Sequence, residues 1–362
     1  AEAAGSCDAA VIFAGLPASY ESEGYDRESL ELPDGHIQLI QEIARRRKDV
    51  LVVLSNGAPI QLPFAKDVDG ILEAWLLGQE APEAIAEVIL NMEQPSGRLM
   101  ETFPEALDKD PVGYRFLPDE GCLFYGERMM TGYRYYEKQG IKPAWPFGYG
   151  LSYTSFSYQG LRAEKEEGEW KVSVAVKNTG KLGGYEVVQL YVSNLSGKML
   201  HPVKELKAFE KIYLDPGQEK EVCFLLGKEA FQCYNSRRKG WMTEEGTYEI
   251  AVGSSSADIR KRLRIFMEKE PEAVPDLTWT STLEEWLDHP AGRREAEGML
   301  LGYKGFGMGS QGKKFEDLSH FVQRIMLEMP MPRLITASQG SFTEEELEAM
   351  LNRTKEREVG EQ

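Results

Sequence analysis

The chain has 362 residues, of which 42% are hydrophobic and 28% charged, a composition typical of a globular protein with room for more than one domain. Its formal net charge of −17 argues against a nucleic-acid partner, because phosphate binding requires a basic face. No apolar run approaches the roughly 18 residues that a membrane-spanning helix needs, so we expect no membrane contact. The four cysteines show no paired spacing, so neither a zinc site nor a disulfide framework is indicated.

The first region, assigned to residues 1–146, alternates strand and helix patterns. Short apolar runs and amphipathic patterns predict strands near 9–15, 50–55 and 70–75, and helices near 35–47 and 80–91. Strands separated by helices pair in parallel with right-handed crossovers. We therefore expect part of an α/β/α sandwich built on a parallel sheet.

The next part of the chain changes its period. Residues 93–146 are rich in Pro and Gly with scattered aromatic residues, which predicts an ordered excursion rather than regular structure. From about residue 159 the hydrophobic residues alternate, as in "EWKVSVAVKNTG" (169–180), and short strands are separated by turn residues. This pattern predicts an antiparallel β-sandwich of the immunoglobulin or fibronectin type III kind over residues 147–268.

The final region, residues 269–362, is predicted to be a mostly helical tail. Ser281 with Glu284, and Thr343 with Glu346, have the spacing of a capping box before apolar helical patterns. The fold class predicted for the whole chain is therefore α/β followed by all-β, with a helical appendage.

The loop from Leu16 to Asp34 is the stretch that suggests chemistry. It contains "ASYESEGYDR" (18–27), is much longer than an ordinary strand-to-helix connection, and follows the first predicted strand. In open α/β sheets, ligands bind beyond the carboxyl ends of the strands, where acidic side chains are candidates for proton transfer. Ser55, Asn56 and Gly57 end the second predicted strand and are expected at the same edge. A solvated acidic loop without function is the alternative, and the spacing alone favours it.

Several motifs, taken together, favour a catalytic role for the acidic loop over a loop without function. The chain contains "SEGYDR" (22–27), "QPSGRLMETFP" (94–104) and "GYRYYEKQGIKPAWPFGYGLSYTSFSY" (132–158), followed by "VKNTGKLGGYEVVQLYV" (176–192) and "VKELKAFEKIYLDPGQEKEV" (203–222). In this order they closely resemble the C-terminal half of glycoside hydrolase family 3, the β-glucosidase family. The resemblance covers about residues 8–266, and its later motifs resemble the family's fibronectin type III-like domain.

The resemblance implies roles for residues of the acidic loop. The family's general acid/base is the Glu before Gly-Tyr, which corresponds to Glu23 here. Glu21 is the nearby competitor, and Asp26 is a weaker one because the family's Asp-Arg pair, here Asp26 and Arg27, supports the loop; Tyr25 belongs to the same motif. A retaining glycosidase needs such an acid to protonate the leaving oxygen and later to deprotonate a water molecule.

The resemblance also implies a missing partner. The family's nucleophile is an Asp on a (β/α) barrel, and such a barrel needs about 250 residues that this chain does not contain. We therefore expect a piece of a longer retaining, exo-acting β-glucosidase, which acts on terminal β-D-glucosides and whose separate C-terminal chain is inactive. A β-xylosidase of the same family and a non-catalytic carbohydrate- or protein-binding module are the alternatives, and the oligomeric state stays undecided.

No cofactor or metal ion is expected. His36, His201, His289 and His320 are scattered without the spacing of a metal site. No signal peptide is visible at the start of the given sequence, so a cytoplasmic location is expected, although the chain resembles a fragment cut inside a domain.

Overall fold

The computed structural model describes residues 1–24, 27, 29–106, 122, 125–236, 240–268, 276–308 and 313–360. The chain divides into two compact units, which consist of Ala1–Cys233 with Thr243–Glu270 and of Tyr234–Met242 with Pro271–Gln362. Among the described residues, no helix combines the length and the apolar character that crossing a membrane requires.

A three-stranded parallel sheet opens the first unit. It contains β1 (Ala10–Gly15), β2 (Val50–Ser55) and β3 (Gly70–Glu73) in the order β1-β2-β3, accompanied by helices α1 (Asp34–Arg46) and α2 (Ala81–Ile89). Helix α1 buries Ile40 and Ile43 in the same core as Ile12 and Val52 of the sheet. The predicted strands, helices and parallel pairing are confirmed.

The strand register brings the carboxyl ends of the sheet together. Gly15 pairs with Ser55, and Leu54 pairs with Glu73, so β1, β2 and β3 end at one edge. The loop of residues 16–33 leaves β1 at this edge, where the Leu16 N–H donates to the Ser55 carbonyl at 3.1 Å. The acidic loop therefore begins at the edge that the sequence predicts.

The excursion after α2 contains a helix that the sequence analysis missed. Within residues 93–146, helix α3 (Tyr133–Gln139) lies between Gly132 and Gly140, which both adopt positive φ angles. Its Tyr133 and Tyr136 are buried. Burial of these two side chains, rather than intrinsic propensity, favours the helix, which explains why composition predicted irregular structure here.

A β-sandwich follows. Nine strands follow among the described residues: β4 (Phe156–Glu166), β5 (Glu169–Asn178), β6 (Gly184–Asn194), β7 (Glu205–Leu214), β8 (Glu219–Leu226), β9 (Cys233–Asn235), β10 (Gly240–Met242), β11 (Gly246–Gly253) and β12 (Ile259–Met267). One antiparallel sheet of the sandwich has the order β4-β5-β8 and the other the order β12-β11-β6-β7, and β9 pairs with β10 in a separate two-stranded sheet. The alternating residues Val172, Val174 and Val176 are fully buried in the core of the sandwich. The predicted antiparallel sandwich is confirmed.

The tail is helical, as predicted. Its helices are α4 (Leu283–Asp288), α5 (Pro290–Gly302), α6 (His320–Glu328), α7 (Met331–Ala337) and α8 (Glu344–Gly360), and they share a core that includes the fully buried Trp286.

The two predicted capping boxes of the tail have different outcomes. Thr343 and Glu346 exchange the expected hydrogen bonds at 3.2 and 3.0 Å. The box at α4, however, uses Thr282 and Glu285 instead of Ser281 and Glu284. Both pairs fit the motif, and the burial of the apolar side chains that follow the cap sets the phase of the helix.

Candidate active site

The acidic loop presents its two glutamates differently. Glu23 lies in a turn and is exposed to solvent. The Glu21 carboxylate accepts the Gly57 N–H with both oxygens, at 2.9 and 3.1 Å. A Cβ atom at position 57 would lie 3.0 Å from Glu21 Oε1, so a glycine there permits the close approach. Glu21 therefore anchors the loop to the end of β2, and Glu23 is open to a ligand.

The remaining predicted site residues lie further along the loop. The Arg27 guanidinium donates from Nη1 to the Pro59 carbonyl at 3.4 Å, and its Nε and Nη2 atoms are buried without a hydrogen-bond partner among the described residues. Burial lowers the pKa of Arg27, and the nearby charge of Glu21 opposes this effect. Tyr25 and Asp26 lie outside the described residues. Arg27 thus connects the far side of the loop to the segment that follows β2.

A half-buried acid lies at the same edge of the sheet. Glu73, the last residue of β3, accepts the Trp75 N–H at 2.8 Å and the Asn56 Nδ2–H at 3.2 Å. Burial raises the pKa of Glu73 to about 7; the two hydrogen bonds oppose this, and the charge of Glu21 adds to it. Asn56 is fully buried and also donates to the Ala58 carbonyl at 3.0 Å. Because its pKa is about 7, the Glu73 carboxyl group can gain or lose a proton near physiological pH.

Glu73 was missed by the sequence analysis. The signal available was an acidic residue at the end of an apolar strand, in "GILEAWL" (70–76). Its neighbours Asn56 and Gly57 were expected at the edge, and the structure brings them into contact with Glu73 and Glu21 respectively.

Three aromatic rings contact one another next to the end of β3. Trp75 adopts a positive φ of 54°, which is uncommon for a residue other than glycine. Its ring meets Phe103 edge to face at 5.9 Å between centroids, and Phe103 meets Trp145 in the same way at 6.2 Å. Rings of this kind suit the apolar face of a sugar as well as the protein core.

Other aromatic residues pack between the segment after α2 and the sandwich. Tyr133 stacks on Phe147 at 4.6 Å and meets Tyr191 of β6 edge to face at 6.3 Å. The Tyr133 hydroxyl accepts the Leu206 N–H of β7 at 2.8 Å. These rings join the segment after α2 to strands β6 and β7 within the first unit.

A cavity of about 400 Å³ borders the segment that follows β2. Its walls include Leu30, Ala58, Pro59, Met100, Glu101, Thr131 and Tyr133. Neither Glu21 nor Glu23 lines it. The candidate site for chemistry is therefore the open sheet edge around the acidic loop and not this cavity.

Comparisons with known proteins identify the parts of the chain. Residues 1–153 match the glycosyl hydrolase family 3 C-terminal domain, and residues 186–256 match a fibronectin type III-like domain. Thermostable beta-glucosidase B of Acetivibrio thermocellus is 38% identical over 357 residues, which are 97% of this chain and 47% of the relative. An exo-alpha-(1->6)-L-arabinopyranosidase of Bifidobacterium breve is also 38% identical, over 81% of this chain and 39% of the relative.

Solved structures agree with these matches. A crystal structure of the Bifidobacterium adolescentis GH3 beta-glucosidase has a TM-score of 0.75 and 37% identity, over 80% of this chain and 43% of that protein. The chain thus spans less than half the length of each of these proteins.

Proposed function

This chain belongs to glycoside hydrolase family 3, of which it contains the C-terminal domain and the fibronectin type III-like domain, and we propose that it supplies the general acid/base of a retaining, exo-acting β-glucosidase. Its relatives include glycoside hydrolases named beta-glucosidase. The complete enzyme acts on terminal β-D-glucosides and requires a nucleophile from a barrel domain outside this chain.

Glu23 is the proposed acid/base. The observation that carries this assignment is the different surroundings of the two loop glutamates: Glu21 is held by the Gly57 N–H, and Glu23 is exposed at the carboxyl edge of the sheet. In the first step Glu23 gives a proton to the departing glycosidic oxygen, and in the second it takes one from water. A bound sugar and the barrel surface together exclude water from around this carboxyl group, so that it transfers its proton directly to the glycosidic oxygen.

The loop and its neighbours position Glu23. Glu21 ties the loop to β2 and Arg27 ties it to Pro59, and we assign supporting roles to both, together with Tyr25 and Asp26. Two anchors on either side of one acid limit its motion while they leave its carboxylate free, which is what a catalytic group requires.

A second sugar is a candidate substrate. A relative named exo-alpha-(1->6)-L-arabinopyranosidase has the same 38% identity to this chain as one named beta-glucosidase, although it matches 81% of the chain rather than 97%. The chemistry of Glu23 is the same for both sugars, and the barrel supplies most contacts to the sugar. A β-xyloside is the third option of the same class.

The test is Glu23→Ala in an enzyme that joins this chain to its barrel domain. General acid catalysis contributes roughly 10²–10⁴-fold, so we expect a loss of that size on cellobiose and a much smaller loss of the first step with activated aryl glycosides. Azide should restore turnover of the aryl substrate by attacking the glycosyl-enzyme, and the product should be a β-glycosyl azide.

The control is Glu21→Ala, which should show neither the dependence on the leaving group nor the azide product. If the two variants exchanged behaviours, Glu21 would be the acid/base. If neither gave the azide product, the proton donor would lie outside this loop and the assignment would fail.

A further inference from the structure

Three potential metal ligands converge in the sandwich, away from the acidic loop. They are His201 in the loop between β6 and β7, Cys233 at the start of β9 and Glu244 just before β11. The imidazole nitrogen, the thiol sulfur and a carboxylate oxygen all lie within 4.8 Å of one another. Cys233 is buried, and the side chains of His201 and Glu244 are only 15% and 12% exposed. The sequence spacing of 32 and 11 residues gave no indication of this cluster.

Backbone groups orient the carboxylate of the cluster. Glu244 Oε1 accepts the N–H groups of Lys198 and Met199 at 2.9 and 3.2 Å. Its Oε2 atom is thereby turned towards His201 Nε2, with which it is in close contact, and Asn194 Nδ2 donates to the same oxygen at 3.2 Å. Supporting hydrogen bonds of this kind hold metal ligands in place in proteins.

The cluster leaves no room for a side chain at position 197, next to its polar atoms. A Cβ atom on Gly197 would lie 2.5 Å from Asn194 Nδ2 and Glu244 Oε2 and 2.6 Å from His201 Nε2. The polar atoms therefore converge on the backbone of the 195–204 loop. Met199 Sδ lies 3.9 Å from Cys233 Sγ on the sulfur side of the cluster.

The ligand types indicate which ion fits. Thiolate, imidazole and carboxylate are the three ligand classes of zinc proteins, and a thiolate with a carboxylate neutralises a divalent charge. Hard cations such as Mg²⁺ avoid sulfur ligands. We propose that His201, Cys233 and Glu244 bind a Zn²⁺ ion whose fourth position is taken by water.

Binding of the ion releases one proton from the cluster to solvent. The Cys233 thiol loses its proton to solvent, the sulfur and His201 Nε2 each give an electron pair to the ion, and the carboxylate binds as it is. No oxidation or reduction takes place. The bound ion links the 195–204 loop, β9 and the segment before β11, so it acts as a structural cross-link in the fibronectin type III-like domain.

The first experiment uses the whole chain, freed of metal with a chelator. Zn²⁺ is titrated against the protein in competition with a chromophoric chelator, and we expect one ion per chain and a rise in the thermal midpoint that Mg²⁺ does not produce. Co²⁺ in place of zinc should give a sulfur-to-metal charge-transfer band and the strong visible bands of a four-coordinate ion. Absence of both the stoichiometric zinc binding and the sulfur band in the unmodified chain overturns the proposal.

Matched variants identify the ligands. Cys233→Ser should remove the charge-transfer band and weaken zinc binding by more than about tenfold. The control is Cys223→Ser, because Cys223 is an exposed thiol on β8. If Cys233→Ser fails to fold, His201→Gln serves as the second ligand variant, with weaker binding but a retained sulfur band. A band lost with Cys223→Ser instead places the metal elsewhere and refutes the site.

Discussion

The half-buried acid Glu73 should make the stability of this protein depend on pH. Its pKa is raised from 4.5 to about 7, chiefly by burial, so the folded state keeps the proton where the unfolded state releases it. Between these two values the unfolded chain binds fewer protons, and the free energy of unfolding falls as the pH rises. Below the lower value both states are protonated, and above the higher value the penalty stays constant.

Glu73→Gln should remove this pH-dependent penalty. The Trp75 N–H and the Asn56 amide donate to different carboxylate oxygens, so the single amide oxygen of Gln can accept only one of these hydrogen bonds, and that loss is the same at every pH. The free energy of unfolding of the variant, measured relative to that of the unmodified chain, should rise by about 1–2 kcal/mol when the pH is raised from about 4 to about 8; this figure allows for the partial exposure of Glu73. Urea unfolding at both pH values measures this gain. Glu83→Gln, on the exposed side of α2, is the control and should show no such trend. If pH changed the free energy of unfolding of the Glu73 variant and of the unmodified chain equally, the raised pKa of Glu73 would be contradicted.

At this scale the sequence predicted residues that are neighbours along the chain and missed those that are not. Glu21, Glu23 and Arg27 stand in one loop, and a motif suffices to find them. Asn56 and Glu73 are 17 residues apart and meet only because β2 and β3 pair in parallel with a particular register. The same applies to His201, Cys233 and Glu244, which the fold of the sandwich brings together.

A buried ion pair joins the segment after α2 to the sandwich. Arg98 donates from Nη2 to Glu186 Oε2 on β6 at 3.0 Å, and the two side chains are 8% and 5% exposed. Tyr158 of β4 donates its hydroxyl to the other carboxylate oxygen at 2.6 Å. Burial raises the pKa of Glu186, and Tyr158 and Arg98 oppose this, so the carboxylate depends on its partners.

Arg98→Ala should therefore leave a buried charge without its counterion. We expect a loss of about 3–5 kcal/mol in the free energy of unfolding of the first unit, as is typical when one partner of a buried pair is removed. The matched control is Arg162→Ala, since Arg162 pairs with Glu221 at 2.7 Å but the two side chains are 63% and 52% exposed. That change should cost less than about 1 kcal/mol. Urea unfolding, followed by circular dichroism, measures the free energy of unfolding of both variants. Equal losses in the two variants would show that burial does not strengthen the dependence on the Arg98–Glu186 pair.

Elements with a strong periodic pattern could be predicted, and those that depend on distant contacts could not. The apolar runs of β1 and β2 and the alternation of β5 identify buried strands without further information. Helix α3 has no such pattern and depends on Tyr133 contacting Tyr191 and Leu206 of the sandwich. At α4, two overlapping capping boxes fit the sequence, and only the burial of Leu283 and Trp286 decides between them.

On the proposed assignment, the molecule as a whole supplies one of the two carboxyl groups that a retaining glycosidase needs. A retaining mechanism requires two carboxyl groups about 5–5.5 Å apart, one as acid/base and one as nucleophile. Our proposal places the first on the loop of this chain and the second on a barrel domain, and the chain spans less than half the length of its relatives. Its parallel sheet also ends at β1, where the side chain of Phe13 is 67% exposed.

We therefore expect the 362-residue chain alone not to hydrolyse aryl β-glucosides, even activated ones, because these still need the nucleophile. Addition of the separately produced barrel-bearing half should restore hydrolysis if the two halves associate, which sizing chromatography measures independently. The Glu23→Ala chain should associate equally well, yet its mixture should hydrolyse cellobiose about 10²–10⁴-fold more slowly. Turnover by the chain alone would reveal a nucleophile within it, and equal hydrolysis of cellobiose by the Glu23→Ala mixture and the unmodified mixture would show that Glu23 is not the acid.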